Sequence, residues 1–225
     1  MTRKRKPKFD HEHNDKPALL PKNKKQVEYM SALWRSSQVI VLGPAGTGKT
    51  FIAATTASDL YDQGKINKIV LTRPNVASGR SIGFFPGSLL DKMTPWVMPL
   101  TEVIKGRLGV PVYDTMLKNN NLEIVPFEVM RGRSFENAFV ILDEGQNTTP
   151  EEMKMFLTRV GENTKVIING DVSQSDLKET SGLSKVIGMV RRYGLPVPVI
   201  EFGTEDIVRS DMCKLWIEAW IADEK

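Results

Sequence analysis

The chain has 225 residues, of which 40% are hydrophobic and 26% are charged, and its formal net charge is +4. This length allows one domain with extensions. No apolar run approaches the ~18 residues that a membrane span needs, which argues against a membrane protein. Its single cysteine, Cys213, excludes an intrachain disulfide. We therefore expect a soluble protein of a reducing compartment, the cytoplasm.

The first 21 residues are polar, charged and without apolar periodicity, which predicts a flexible N-terminal arm before a single domain at 22–225. Residues 1–25 hold nine Lys or Arg and three Asp or Glu, a charge of +6, so the remaining residues have a charge of −2. The arm is either a solvated tail or a phosphate-binding segment. The net charge of −2 on residues 26–225 does not by itself favour binding of nucleic acid by the folded domain.

Short apolar runs then alternate with helical patterns. The expected strands lie at 38–43, 68–73, 138–144, 165–170 and 198–202, and the expected helices at 49–62, 150–160, 181–193 and 210–220. Strands that are apolar on both faces and separated by helices predict a mostly parallel sheet covered on both sides, a three-layer α/β fold. Residues 74–126, punctuated by Gly and Pro, break this rhythm and predict a long insertion after the second strand.

The segment GPAGTGKT matches the P-loop pattern G-x-x-x-x-G-K-[ST] and stands between an apolar strand and a helix. Its glycines let backbone amides turn inward around a β-phosphate. Lys49 is placed to bridge the β- and γ-phosphates, and the Thr50 hydroxyl to ligate Mg²⁺. The alternative is a Gly-rich turn that binds nothing. The predicted nucleotide-binding residues are Gly43, Pro44, Ala45, Gly46, Thr47, Gly48, Lys49 and Thr50.

Two carboxylates follow the apolar run FVIL, as in a Walker B strand. Asp143 is the expected second Mg²⁺ residue, and Glu144 the expected catalytic residue that orients or deprotonates the attacking water. Alone, such a pair would simply end a strand. Joined to a P-loop in an α/β pattern, it indicates a RecA-like P-loop NTPase that uses ATP and Mg²⁺.

The segment INGDVSQSDL contains Gly170, Asp171 and Gln174 in the spacing of the GDxxQ element of superfamily-1 helicases, which it resembles. In that element the Gln contacts the γ-phosphate, a role that would make Gln174 catalytic. A neutral amide can report the γ-phosphate through a hydrogen bond. The alternative is a polar turn.

Several longer segments resemble the PhoH family of ATPases. They are GPAGTGKT, LTRPNVASG, GFFPGSLLDKM, VMRGRSFENAFVILDEGQNTTPEEMKMFLTRVG, INGDVSQSDL and FGTEDIVRS. The chain departs from the family in one place: it has DEGQN where DEAQN is usual, and we expect Gly145 only to loosen the backbone. The resemblance implies ATP hydrolysis, a helicase-like action on RNA or single-stranded nucleic acid, and Gln26 as the residue that reads adenine. An exposed helix position is the alternative for Gln26.

We expect a single RecA-like domain in these 225 residues, and therefore no second one to supply an arginine to the γ-phosphate. We therefore expect an oligomer, by resemblance a homo-hexamer, in which Arg209 is donated to a neighbouring subunit. Arg131 and Arg133 are rivals, and each of these arginines could instead form a surface ion pair.

Other residues leave alternatives open. Arg73 matches a helicase motif that touches the nucleic-acid backbone, and Phe84 and Phe85 either stack on bases or anchor the insertion. Trp34, Trp216 and Trp220 lie in amphipathic patterns, as core or subunit-contact residues. Two alternative functions remain: an ATPase that remodels a protein partner, and a nucleotide-dependent regulatory switch.

Overall fold

The computed structural model describes residues 16–74, 89–127, 130, 132–177 and 180–223. The helices are α1 (Lys24–Arg35), α2 (Lys49–Asp62), α3 (Leu89–Leu108), α4 (Val110–Lys118), α5 (Pro150–Leu157), α6 (Gly182–Tyr193) and α7 (Asp211–Asp223). The strands are β1 (Gln38–Leu42), β2 (Lys68–Thr72), β3 (Leu122–Ile124), β4 (Ala138–Leu142), β5 (Lys165–Gly170) and β6 (Val199–Glu201).

The strands form one six-stranded sheet in the order β3-β2-β4-β5-β1-β6, and every pairing is parallel. The expected parallel α/β fold is confirmed. Strand β5 lies between β1, which leads into the P-loop, and β4, which leads to Asp143. The carboxyl ends of β1, β5, β4 and β2 therefore meet at one edge of the sheet, where open α/β sheets bind ligands.

Alternation along each strand divides the core into two layers. Val39 and Val41 of β1 face a cluster that α1, α2, α3 and α4 cover, whereas Ile40 and Leu42 face a cluster that α5 and α6 cover. Burial on both faces explains why these strands are continuous apolar runs in the sequence. The same burial makes the sheet a rigid base for the loops at its carboxyl edge.

The predicted insertion has regular structure of its own. Within 74–126, helices α3 and α4 pack on the sheet, and β3 pairs with β2 as an edge strand. The sequence pattern concealed α3 because Pro95 and Pro99 lie inside it, and proline usually ends a helix. Here packing of Val97, Leu100 and Ile104 into the core retains the helix despite the prolines.

The arm and the C-terminal helix also differ from expectation. Leu19, predicted to belong to the arm, packs against the core, and the Pro17 carbonyl accepts a hydrogen bond of 2.7 Å from Arg107. A core role for Trp34, Trp216 and Trp220 is wrong, because they are 56%, 63% and 61% exposed. A role in subunit contacts stays a prediction. No helix among the described residues is long and apolar enough to cross a membrane.

Candidate nucleotide-binding site

A cavity of about 580 Å³ opens at the carboxyl edge of the sheet, beside the P-loop. The sequence-predicted residues that line it are Gln26, Gly43, Ala45, Gly46, Gly48, Lys49, Thr50, Arg73, Asp143, Glu144, Gly170, Asp171, Gln174 and Arg209. Pro44 and Thr47 contribute through their carbonyls instead: they accept hydrogen bonds from the Lys49 ammonium and the Gln26 amide. Residues from distant parts of the sequence thus meet around one space large enough for a ligand.

Lys49 is held by the loop that it is predicted to serve. Its Nζ atom donates to the carbonyls of Gly43 at 2.5 Å and Pro44 at 2.8 Å. Burial lowers the pKa of the Lys49 ammonium, while the nearby carboxylates of Asp171, Asp143 and Glu144 oppose this shift. A phosphate would supply the negative charge that this buried ammonium needs.

Thr50 and Asp143 form the pair expected to hold a metal. The Thr50 hydroxyl donates to Asp143 Oδ1 at 3.3 Å, across the gap between α2 and β4. Burial raises the pKa of the Asp143 carboxyl, and the charge of Glu144 raises it further. A cation between these oxygens would instead stabilise the charged form of the Asp143 carboxyl.

Mg²⁺ fits this donor set. It prefers oxygen ligands, and it completes its octahedron with waters and substrate phosphates, so it needs few protein groups. Among the described residues, no cluster of three or more His, Cys, Asp or Glu side chains is placed to hold a metal ion. A site of one hydroxyl and one carboxylate is therefore suited to Mg²⁺ that arrives with a nucleotide.

Glu144 has a strained backbone. Its φ of 54° lies in the left-handed region, which costs a non-glycine residue about 1–3 kcal/mol and tends to occur at functional sites. The predicted strand 138–144 therefore ends at Leu142, and the chain turns sharply to present both carboxylates. The Glu144 carboxylate lies 3.8 Å from the Arg73 guanidinium.

Gln146 is a site residue that reasoning from single motifs missed. It is 1% exposed, its Nε2 donates to Glu144 Oε2 at 2.5 Å, and its Oε1 accepts from the Asp171 amide at 3.0 Å. One side chain thus joins the turn after β4 to the turn after β5. The only signal in the sequence was its place in DEGQN, two residues after Glu144.

The neighbouring Gly145 does more than loosen the backbone. A Cβ atom at this position would lie 3.0 Å from Ile168 Cγ2 and 3.2 Å from the Asn169 carbonyl. These distances are tighter than ordinary van der Waals contact. The glycine therefore lets the turn lie close against β5.

Gln174 lines the cavity from a short helical turn after β5. Asp171 shapes this turn: its carboxylate accepts from the Ser173 amide at 3.1 Å, and its carbonyl from the Gln174 amide at 3.0 Å. The Gln174 side chain is exposed, so it is free to approach a bound phosphate. Its γ-phosphate role stays a prediction.

Gln26 is buried at the start of α1, next to the P-loop. Its Oε1 accepts from the Lys22 amide at 2.8 Å, and its Nε2 donates to the Thr47 carbonyl at 2.9 Å. One donor hydrogen and one acceptor lone pair of the carboxamide remain. These match the N7 acceptor and N6 donor of adenine, so the adenine role stays a prediction that the geometry allows.

Arg209 lies against the P-loop of its own chain, which favours action within that chain over the expected donation to a neighbouring subunit. The Val208 amide donates to the Gly46 carbonyl at 2.9 Å, and a Cβ atom on Gly46 would come within 2.8 Å of Arg209 Cγ. Gly46 thus makes room for the arginine. The rival Arg133 pairs with Glu123 at 2.8 Å, and Arg131 lies outside the described residues.

Apolar side chains complete the cavity on the side facing the arm. They are Leu19, Leu20, Phe51 and Val103, together with Pro99. Phe51, next to the P-loop, is 52% exposed, as an aromatic platform for a flat ligand would be. The sequence indicated none of these residues, because they come together only when α3 packs beside α2.

Arg73 was expected to touch nucleic acid, and the structure shows what it contacts within the chain. Its guanidinium lies 5.3 Å from the centre of the Trp96 ring, and Nη1 donates to the Trp96 carbonyl at 3.2 Å. The other predicted contacts to nucleic acid, Phe84 and Phe85, lie outside the described residues.

Comparisons with known proteins show which proteins this chain is similar to. Residues 18–221 match the family described as "PhoH-like protein". The chain is 44% identical over 197 residues to a PhoH-like protein of Bacillus subtilis and 40% identical over 210 residues to Protein PhoH of Escherichia coli. These matches cover 87% and 92% of this chain but 61% and 59% of those relatives.

Among solved structures, the chain is similar to the Pif1 helicase from Candida albicans. The TM-score is 0.41 at 14% identity, over 82% of this chain and 40% of that one. A likeness this distant supports no conclusion about activity.

Proposed function

Because the chain belongs to the PhoH family and is a P-loop NTPase, we propose that it hydrolyses ATP with Mg²⁺ as an oligomeric motor on RNA or single-stranded nucleic acid. The observation that carries the hydrolase part is the meeting of Lys49, the Thr50–Asp143 pair and Glu144 around one cavity. These groups serve three needs of phosphoryl transfer: charge neutralisation, metal binding and activation of water.

The side chains divide the reaction between them. Lys49 leaves its loop carbonyls for the β- and γ-phosphates and offsets their negative charge. Thr50 and Asp143 would hold Mg²⁺, which neutralises charge on the phosphate oxygens when it is bound. The γ-phosphorus–oxygen bond to ADP breaks as a water oxygen bonds to that phosphorus, and Glu144 accepts the proton that the water loses.

Glu144 favours a hydrolase over a switch. A switch needs to bind and sense nucleotide but has no use for a carboxylate that activates water. Here the chain tolerates a left-handed backbone at Glu144 and holds its carboxylate with the Gln146 amide. Such strain is retained where the placed side chain matters.

Nucleic acid as the partner is supported more weakly, by the +6 charge of residues 1–25 and by the GDxxQ pattern. The test is steady-state phosphate release with Mg-ATP, alone, with single-stranded RNA, and with an unfolded polypeptide. We expect RNA to stimulate turnover and the polypeptide not to. Stimulation by the polypeptide alone would replace the motor with a protein remodeller.

Truncation of the N-terminal arm measures how much the basic segment contributes to stimulation of turnover by RNA. A chain that starts at Lys16 keeps every described residue but loses most of the arm's lysines and arginines. We expect its basal turnover to equal that of the full chain and its RNA stimulation to fall at low salt, where phosphate contacts contribute most. Equal stimulation would place the RNA site on the body.

For assembly, we propose that α7 of one copy packs on α1 of the next. The exposed apolar side chains of α7 are Met212, Leu215, Trp216 and Trp220, and α1 exposes Val27 and Trp34. The helices also differ in charge. Helix α1 has three basic residues and one acidic residue, whereas α7 has three acidic residues and one basic residue. A contact between different surfaces of identical chains can close into a ring, as the proposed hexamer requires.

Sedimentation velocity tests this contact. Trp216→Ser with Trp220→Ser should shift the protein to monomers, whereas Tyr193→Ser, an equally exposed aromatic on α6, should not. If both variants keep the assembly of the wild type, α7 is not the interface. The single cysteine, Cys213, is also exposed on α7.

A further inference from the structure

Arg73 lies between the catalytic carboxylate and the helix α3 of the insertion. It is the first residue after β2, and its side chain is 21% exposed. On one side it approaches Glu144 Oε1 to 3.8 Å; on the other it stacks on the Trp96 ring and donates to the Trp96 carbonyl. Cation–π stacking and a charged hydrogen bond together hold a guanidinium in one place.

The contact on α3 falls where prolines interrupt that helix. Pro99 has no amide hydrogen to donate to the carbonyl four residues earlier, at Pro95, so the helical hydrogen bonds are interrupted in the turn that contains Trp96. Pro99 and Val103, farther along the same helix, line the nucleotide cavity. Helix α3 therefore contacts the cavity directly and reaches Glu144 through Arg73.

On the opposite side of Glu144, Gln146 continues the chain of contacts. It joins the Glu144 carboxylate to the Asp171 amide at the end of β5. The carboxylate is thus held between Arg73 and Gln146, at the ends of three adjacent strands, β2, β4 and β5. A shift of α3 that carries Arg73 with it changes one of these two restraints and leaves the other.

We propose that Arg73 is a positioning residue that sets the Glu144 carboxylate and couples it, through Trp96, to helix α3. A partner that displaces α3 then changes the rate of hydrolysis through Glu144. This inference rests on the proposed ATPase, since it assigns control of that same site.

The first test separates positioning from direct phosphate contact. Arg73→Gln should lower kcat about 10- to 100-fold, because small misplacements of catalytic groups have effects of this size, while ATP affinity stays unchanged. Arg73→Lys should recover little of the lost kcat, since lysine lacks the planar guanidinium that stacks on Trp96. The matched control is Arg191→Gln, which removes an arginine from an exposed ion pair on α6 and β6.

A double-mutant comparison follows in single-turnover conditions. Arg73 acting through Glu144 predicts that Arg73→Gln adds no loss to Glu144→Gln. Losses that multiply, or an Arg73→Gln protein that loses ATP affinity at unchanged kcat, would overturn the proposal in favour of a phosphate contact. A wild type without turnover would defeat the proposed ATPase instead.

Trp96 gives a readout that needs no turnover. The chain has four tryptophans, and replacing the exposed Trp34, Trp216 and Trp220 by Phe leaves Trp96 as the reporter. In the Glu144→Gln background, Mg-ATP should change Trp96 emission, and Arg73→Gln should abolish that response. Trp96 emission that does not change on addition of Mg-ATP, or that changes equally in the Arg73→Gln variant, would overturn the proposed coupling.

Discussion

Gln146 offers a test of the site that begins with stability. Its carboxamide donates to Glu144 and accepts from the Asp171 amide, and it has almost no contact with solvent. Gln146→Met keeps the length of the side chain and removes both hydrogen bonds. Gln146→Glu keeps an acceptor for Asp171 but places a second carboxylate against Glu144.

The expected loss of stability depends on whether Glu144 and the Asp171 amide can bind water once the Gln146 carboxamide is removed. In Gln146→Met the Glu144 carboxylate, whose side chain is 37% exposed, regains water, so the main cost is the Asp171 amide. An unsatisfied amide costs about 1–3 kcal/mol when buried. Asp171 is only partly buried, so we expect a loss of about 1–2 kcal/mol in the free energy of unfolding.

Urea unfolding without nucleotide measures this loss, and phosphate release measures its effect on turnover. Both variants should reduce kcat, because Glu144 loses a restraint in each. Gln146→Glu should recover stability at acidic pH, where protonation of one carboxyl restores a donor. Unfolding free energies equal to that of the wild type in both variants would refute the bridging role of Gln146.

Three further predictions concern the other site residues. Burial raises the pKa of Asp143, so its carboxylate destabilises the folded protein increasingly as pH rises above the value at which the unfolded carboxyl ionises. Asp143→Asn should therefore raise the thermal midpoint at neutral pH in EDTA, and this gain should disappear in acid. The same variant should abolish Mg²⁺-dependent turnover. Gln26→Glu should lower affinity for ATP about 3- to 10-fold and for GTP much less, as competition binding would show; an equal loss for both would remove the adenine role. Since Arg209 contacts its own P-loop, mixing Arg209→Ala with Lys49→Ala subunits should restore no turnover, and recovery would establish donation between subunits.

Much of the fold could be predicted because its signals are local. Helix α2 runs from Lys49 to Asp62 as expected, since the P-loop defines its start. The strands around the site were recognisable because burial on both faces requires unbroken apolar runs. Their parallel pairing follows from the helices between them.

Contacts between distant segments could not be predicted in this way. Helix α3 was hidden by Pro95 and Pro99, and with it the wall of the cavity that α3 forms. The pairing of Arg73 with Trp96 has no signal in either local sequence. Amphipathic spacing around Trp216 indicated a helix, but spacing alone does not say whether anything covers its apolar face.

The left-handed backbone at Glu144 was equally invisible, because glutamate has no intrinsic preference for it. Motif spacing placed both carboxylates correctly at the sheet edge. Only the structure showed that β4 ends before Asp143 and that Gln146 holds the Glu144 carboxylate.

The most direct test compares ATP binding with hydrolysis in two variants of the same site. Equilibrium binding of Mg-ATP and single-turnover phosphate release would be measured for wild type, Lys49→Ala and Glu144→Gln. The proposed mechanism predicts that Lys49→Ala loses binding, whereas Glu144→Gln binds ATP like the wild type and releases phosphate at least about 100-fold more slowly. Glu144→Gln with wild-type phosphate release would contradict the assignment of Glu144 as the residue that activates water.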